Sequence, residues 1–220
     1  MKIKLIQIFL VTFVFSCSPA GVDFIPNPIV IEPVELESGS GVFIYEYVDK
    51  DIEVFYYTPE NISQNTSVVF TMHGAGRDAE STRDAMISKA IEYNFIVVAP
   101  KISQENFSGG DGYNLGNVFE DGDNPSDTTI NPEEDWSFSI IEPLFDQIIA
   151  SLETNVDSYH IVGFSAGAQF VHRFMFFKPD ARYDKIVASG AGWYTVIDNN
   201  ISFPYGFKNS PLTNNSIQGL

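Results

Sequence analysis

This 220-residue sequence is poor in cysteine, in histidine and in positive charge. Its one cysteine, Cys17, excludes an internal disulfide. Twelve lysines and arginines stand against 29 aspartates and glutamates, a formal charge of −17. Nucleic acid and anionic membrane surfaces need cations to neutralise phosphate, so neither is an expected partner. Only three histidines, His73, His160 and His172, could serve any chemistry that needs an imidazole. Nothing in the residue pattern calls for a cofactor or a metal. What is present is apolar: 44% hydrophobic and 14% aromatic residues, enough for one sizeable core, at a length that suits one domain.

The amino terminus accounts for the lone cysteine. Met1 to Lys4 is a short basic start, Leu5 to Phe15 is a largely apolar run, and Ser16-Cys17 follows. Eleven residues are too few to cross a bilayer of about 30 Å but suit the core of a signal peptide. Residues 1–16 are therefore expected to be a signal peptide. Val14-Phe15-Ser16-Cys17 resembles a bacterial lipobox, which implies a lipid at Cys17, a membrane partner through that lipid, and an outer-membrane lipoprotein. Ordinary secretion is the alternative, and both place the chain in the cell envelope or outside the cell. Residues 17–41, with Pro19, Pro26, Pro28 and Pro33, read as an acidic tether reaching on the order of 70 Å if extended.

Residues 42–220 read as one domain. Val42–Val48 and Ile52–Thr58 alternate aromatic and polar residues around Asp49-Lys50-Asp51, the pattern of an antiparallel hairpin. Ser67–Met72 and Phe95–Ala99 read as buried strands. A helix between them, Arg77–Tyr93, would bury Met86, Ile87, Ala90 and Ile91. Such alternation demands right-handed crossovers and a doubly wound, mostly parallel sheet. Lys101–Asn131 is a long acidic loop emerging at the carboxyl edge of the sheet, where Phe107, Tyr113 and Phe119 are expected to wall a cleft. Asp121-Gly122-Asp123-Asn124 offers oxygen ligands, but Ser126 stands where a calcium loop of the EF-hand type needs glycine, so a solvated loop is the reading. Asn131-Pro132-Glu133-Glu134 predicts a helix start, with a buried stripe from Ile140 to Leu152, a kink at Pro143 and Trp136 in the first turn. Asp184–Ser189 is a further strand, after which Trp193 leaves at the same carboxyl edge.

One stretch carries chemistry. Tyr159, Ile161 and Val162 form a β-prone run, Gly163-Phe164-Ser165-Ala166-Gly167 follows, and Phe170, Phe174 and Phe177 continue at helical spacing. Strand, glycine-flanked serine, helix is the nucleophile-elbow arrangement. The serine must stand on a strained turn, and glycines without Cβ let strand and helix close around it. Helix N–H groups then face any oxyanion formed on a substrate. Upstream, the strand ending at Met72 runs into His73-Gly74-Ala75-Gly76.

At this point the chain resembles the α/β-hydrolase superfamily, in which an HG-type loop after a sheet strand supplies one oxyanion-hole N–H. With His73–Arg77, Gly112–Asn117, Trp136–Phe138 and Gly163–Gly167, it is most similar to the secreted esterases grouped with polyhydroxybutyrate depolymerases and feruloyl esterases. The resemblance implies Ser165 as nucleophile and the N–H groups of Ala75 and Ala166 as oxyanion donors. His73, Gly74, Gly163 and Gly167 would be structural support, and Tyr113, Trp136 and Trp193 cleft residues. It implies a carboxylic ester hydrolase acting through an acyl-enzyme on a small or polymeric ester. A non-catalytic binding lipoprotein and a peptidase on the same scaffold stay open as alternatives.

The residue inventory limits that reading. His73 belongs to the HG turn. His160 lies roughly 16 Å back along the strand from Ser165. His172 lies about 10 Å along the helix. None is expected to serve the serine. After Ser165 the acids are Asp180, Asp184 and Asp198, and only Asp198 falls on the catalytic side. The expectation is a fold truncated before the strands that carry acid and histidine, with little turnover and an exposed sheet edge. A naturally shortened relative is the alternative.

Overall fold

The computed structural model of the protein describes residues 33–152, 154–213 and 216. The signal-peptide and Cys17 readings lie outside these residues, as does most of the tether.

Six strands form one sheet in the order β1-β2-β4-β3-β5-β6. β1 (Gly39–Tyr47) and β2 (Lys50–Thr58) are the expected hairpin. Its turn is tighter than the polar triplet implies: Tyr47 pairs with Lys50, so Val48 and Asp49 alone make the turn, and Val48 adopts φ 54. β3 (Val68–Met72) and β4 (Ile96–Pro100) are buried at every residue, as central strands covered on both faces must be. β5 (Tyr159–Phe164) and β6 (Tyr183–Ser189) continue the parallel part, while β2 joins β4 antiparallel. This is the expected mixed sheet of the α/β class.

Helix α1 (Ala79–Tyr93) starts two residues later than the pattern implies. Asp78 is its cap, accepting from the Ser81 N–H, and Asn94 ends it in the left-handed region. Its stripe also differs. Ala90 is buried, but Ile91 is exposed and Arg83 is buried instead, its guanidinium donating to the Tyr56 and Gly41 carbonyls.

The long loop is more ordered than its polarity implies. It contains a short helix α2 (Gly109–Tyr113) and a bridge between Phe119 and Ile130. Phe107, Tyr113 and Phe119 are core residues, between 0% and 2% exposed, and do not wall a cleft. Burying three aromatic rings is what holds this polar segment down. The Asp121 carboxylate accepts from the Asp123 and Asn124 N–H groups and the Asn124 amide, bonds that hold its pKa below the usual range.

The helix expected from Asn131 is broken. Residues 133–135 and 137–140 are short 3₁₀ turns, and α3 proper is Ile141–Leu152. Tertiary bonds override the local signal: the Ser137 N–H donates to Gly116 O, the Asn117 amide to Asp135 O, and Trp136 Nε1 to Asn131 O. Pro143 therefore falls in the first turn of α3, where its missing N–H breaks no bond and no kink is required. In the first half of α3, Glu142 and Asp146 hold Arg182. Helix α4 (Ala166–Phe177) packs Phe170 and Phe174 into the core.

Candidate active site

Ser165 sits between β5 and α4 with φ 57 and ψ −120, a conformation that L residues avoid. Two close approaches fix that turn. A Cβ on Gly163 would stand 2.2 Å from Gly167 O, and one on Gly167 only 2.1 Å from Met72 O. Both obstacles are backbone atoms, so neither position accepts another residue without moving a strand or the helix. The Ser165 N–H donates to Ser189 O at the end of β6 (3.1 Å), which anchors the turn to the sheet. The side chain remains partly exposed.

The second turn lies alongside. β3 and β5 are parallel neighbours, with Met72 opposite Gly163, so the segments after Met72 and after Gly163 leave the same edge about 5 Å apart. Contact between Gly167 and the Met72 and His73 carbonyls confirms that α4 starts against the His73 turn. Ala166 opens α4, where its N–H has no helical acceptor. The Ala75 N–H donates to no protein acceptor among the described residues, and Ala75 is exposed. The two oxyanion-donor candidates thus belong to adjacent turns at the carboxyl edge. Gly74 is less constrained: a Cβ there would meet nothing within 4 Å.

His73 braces this arrangement. It is fully buried, its Nε2 accepts from the Ile102 N–H (3.0 Å), and Nδ1 lies 3.0 Å from Gly74 O. With Nε2 as acceptor the proton belongs on Nδ1, and burial pushes the imidazole down to about 4, so the ring is neutral at physiological pH. Tyr113 donates its hydroxyl to His73 O at 2.6 Å and lies beneath the Arg77 guanidinium. Arg77 in turn donates to the carbonyls of Ile102, Phe107 and Gly109. Tyr113 is therefore a support of the His73 turn and not a cleft residue, being completely buried.

Trp136 is also misplaced as a cleft residue. Its ring packs edge-on against Phe177, the last residue of α4, roughly 18 Å along the helix from Ser165. Trp193 does stand at the carboxyl edge, partly exposed, between Arg173 (3.9 Å) and Tyr205 (4.8 Å).

No side chain among the described residues hydrogen bonds to the Ser165 hydroxyl. His73 has both ring nitrogens engaged. His172 Nε2 meets the Thr195 backbone, and His160 Nδ1 lies 3.5 Å from Asp184 at the opposite edge. Asp198 accepts from the Asn200 N–H and amide within its own turn. Among the described residues there is also no cluster of three or more groups able to hold a metal ion.

Sequence reasoning missed a polar seam beneath Trp193. Gln169 accepts from the Asn114 amide at 2.8 Å and donates to Ala191 O, while Arg173 one turn on donates to Asn114 O. The signal was available: an arginine four residues after a glutamine, inside the otherwise aromatic run of α4.

No protein-family model matches the chain, and no curated protein does. Solved structures do. A poly(aspartic acid) hydrolase-1 from Sphingomonas sp. KT-1 superposes with a TM-score of 0.77 and 41% identity, over 82% of this chain and 67% of that one. A poly(3-hydroxybutyrate) depolymerase, LpqC, from Bordetella parapertussis superposes with a TM-score of 0.73 and 27% identity, over 82% of this chain and 61% of that one. The chain thus spans about two thirds or less of the length of either. With that identity, that sheet order and a strained serine between two obligatory glycines, the chain belongs to the α/β-hydrolase family.

Proposed function

We propose that the chain carries the nucleophile half of a serine acyl hydrolase, with carboxylic esters as the leading substrate class. Ser165 Oγ attacks the carbonyl carbon, and the displaced electron pair settles on the carbonyl oxygen, held by the N–H groups of Ala166 and Ala75. Collapse breaks the bond to the leaving group, which takes the proton lost by the serine, and water then releases the acyl group. One observation carries the proposal: a serine held at φ 57 beside helix α4 when an ordinary turn would relax. The names of the relatives support it and widen it. Poly(aspartic acid) joins its units by amides and poly(3-hydroxybutyrate) by esters, so amide cleavage falls within the same scheme. Lipid attachment at Cys17, with the chain at the cell envelope, belongs to the same proposal and rests on the residues around Cys17.

The Ser165 hydroxyl, which has no hydrogen-bond partner among the described residues, favours a second reading, a binding protein that keeps the fold without turnover. Ser165→Cys separates the two, because a thiol needs far less help from a base than a hydroxyl. Under the hydrolase reading, p-nitrophenyl acetate leaves an acetyl group on the peptide containing position 165, found by mass spectrometry. Acylation there no faster than that of free cysteine in the same buffer would leave only the binding reading.

A further inference from the structure

Arg173 is a buried cation that none of the roles described so far uses. Its side chain is 0% exposed, and it forms no ion pair among the described residues. Nη1 donates to Gln169 O (3.1 Å) and Asn114 O (3.3 Å). Nε and Nη2 meet no acceptor among the described residues. These two nitrogens lie side by side along one edge of the guanidinium, and their parallel N–H bonds match the two oxygens of a carboxylate. Native proteins leave few buried donors unmet, and a buried charge fewer still.

The neighbourhood narrows what meets that edge. Gln169 is already engaged by Asn114 and Ala191, so it has no need of the arginine side chain. The cover over the guanidinium is the Trp193 ring backed by Tyr205, which is 59% exposed, so solvent lies one aromatic pair away. Arg173 is roughly 12 Å from Ser165 along α4, and the loop bearing Trp193 leaves β6 at the same sheet edge as the serine. We propose that the Nε–Nη2 edge of Arg173 is a carboxylate-binding site under Trp193, which reads an acidic group on the ligand held beside Ser165. As a carboxylate site it stands on this geometry alone; as a substrate site it rests on the hydrolase reading above.

The test is ¹⁹F NMR of the protein labelled with 5-fluorotryptophan, which gives two resonances for the two tryptophans and needs no substitution. Trp193→Phe assigns them, and Trp136, at the far end of α4, is the internal control. Titration with propionate is expected to shift the Trp193 line saturably at millimolar concentrations and leave the Trp136 line in place. Propionamide, the same shape without the charge, is expected to do nothing. Arg173→Lys keeps the charge and loses the fork, so the midpoint should rise at least tenfold; Arg173→Met should abolish the shift. If Arg173→Met does not fold, the lysine variant decides. No Trp193 shift with propionate, an equal shift with propionamide, or an unchanged midpoint in Arg173→Lys would overturn the proposal. An equal response to chloride would do the same, since it would show a general counter-ion site. The readout does not depend on Ser165, so repeating it in Ser165→Ala separates its failure from failure of the hydrolase reading.

Discussion

Acidification should loosen the carboxyl edge of the sheet through His73 before the carboxylates titrate. Its imidazole is buried and neutral, with a pKa near 4 against an ordinary 6.5, and desolvation is the main cause. Between those values the unfolded chain binds a proton that the folded chain refuses, so stability rises with pH across the window and falls as pH is lowered through it. The full difference is worth about 3 kcal/mol, of which about 2 kcal/mol is lost between pH 6.5 and pH 5. Urea unfolding of the native chain at half-unit steps from pH 7.5 to 5 reads this slope. His73→Gln is the control, because the amide oxygen can still accept from the Ile102 N–H and does not titrate. The variant should be less stable at pH 7.5, since it loses the contact with Gly74 and the ring packed on Tyr113. Its stability should lose the steep part of the pH dependence from pH 6.5 to 5. The residual slope belongs to His172, also depressed by burial. Equal slopes in the native chain and His73→Gln would refute the claim that His73 is held neutral inside the turn.

Other outcomes test the same architecture. Ser165→Gly should stabilise the fold by about 1 kcal/mol in urea, because glycine relieves the positive φ that serine is forced to adopt. Gly167→Ala should cost on the order of 3 kcal/mol and abolish acylation in a Ser165→Cys background, since the added carbon collides with Met72 O. Tyr113→Phe removes only the hydroxyl that donates to His73 O, and should lower stability by about 1.5 kcal/mol. Glu142→Ala should cost about 3 kcal/mol, because its carboxylate accepts from the Tyr159 hydroxyl, the Arg182 N–H and Arg182 Nε.

What could be read from the sequence was local chemistry. Gly163, Ser165 and Gly167 were legible because the two close backbone crossings that flank the serine accept only glycine, and the requirement is confined to five consecutive residues. The central strands were legible because continuous apolar runs have few other uses. The cleft was not, since burial of Phe107, Tyr113 and Trp136 is decided by segments far away in the chain. Nothing near Trp136 announces that Phe177 will meet it. Asn131-Pro132 carries a genuine helix signal, but hydrogen bonds to Gly116 and Asn117 outweigh it. Arg173 escaped notice for the same reason: its partners Asn114 and Trp193 come from two separate loops.

The bond from the Ser165 amide to Ser189 O has a mechanical side. In the described sheet Ser189 ends β6, the outermost strand, whose other flank pairs with nothing. That bond passes any change in the twist of β6 directly to the backbone that carries the Ser165 hydroxyl. Whatever holds β6 in place therefore also holds the Ser165 turn.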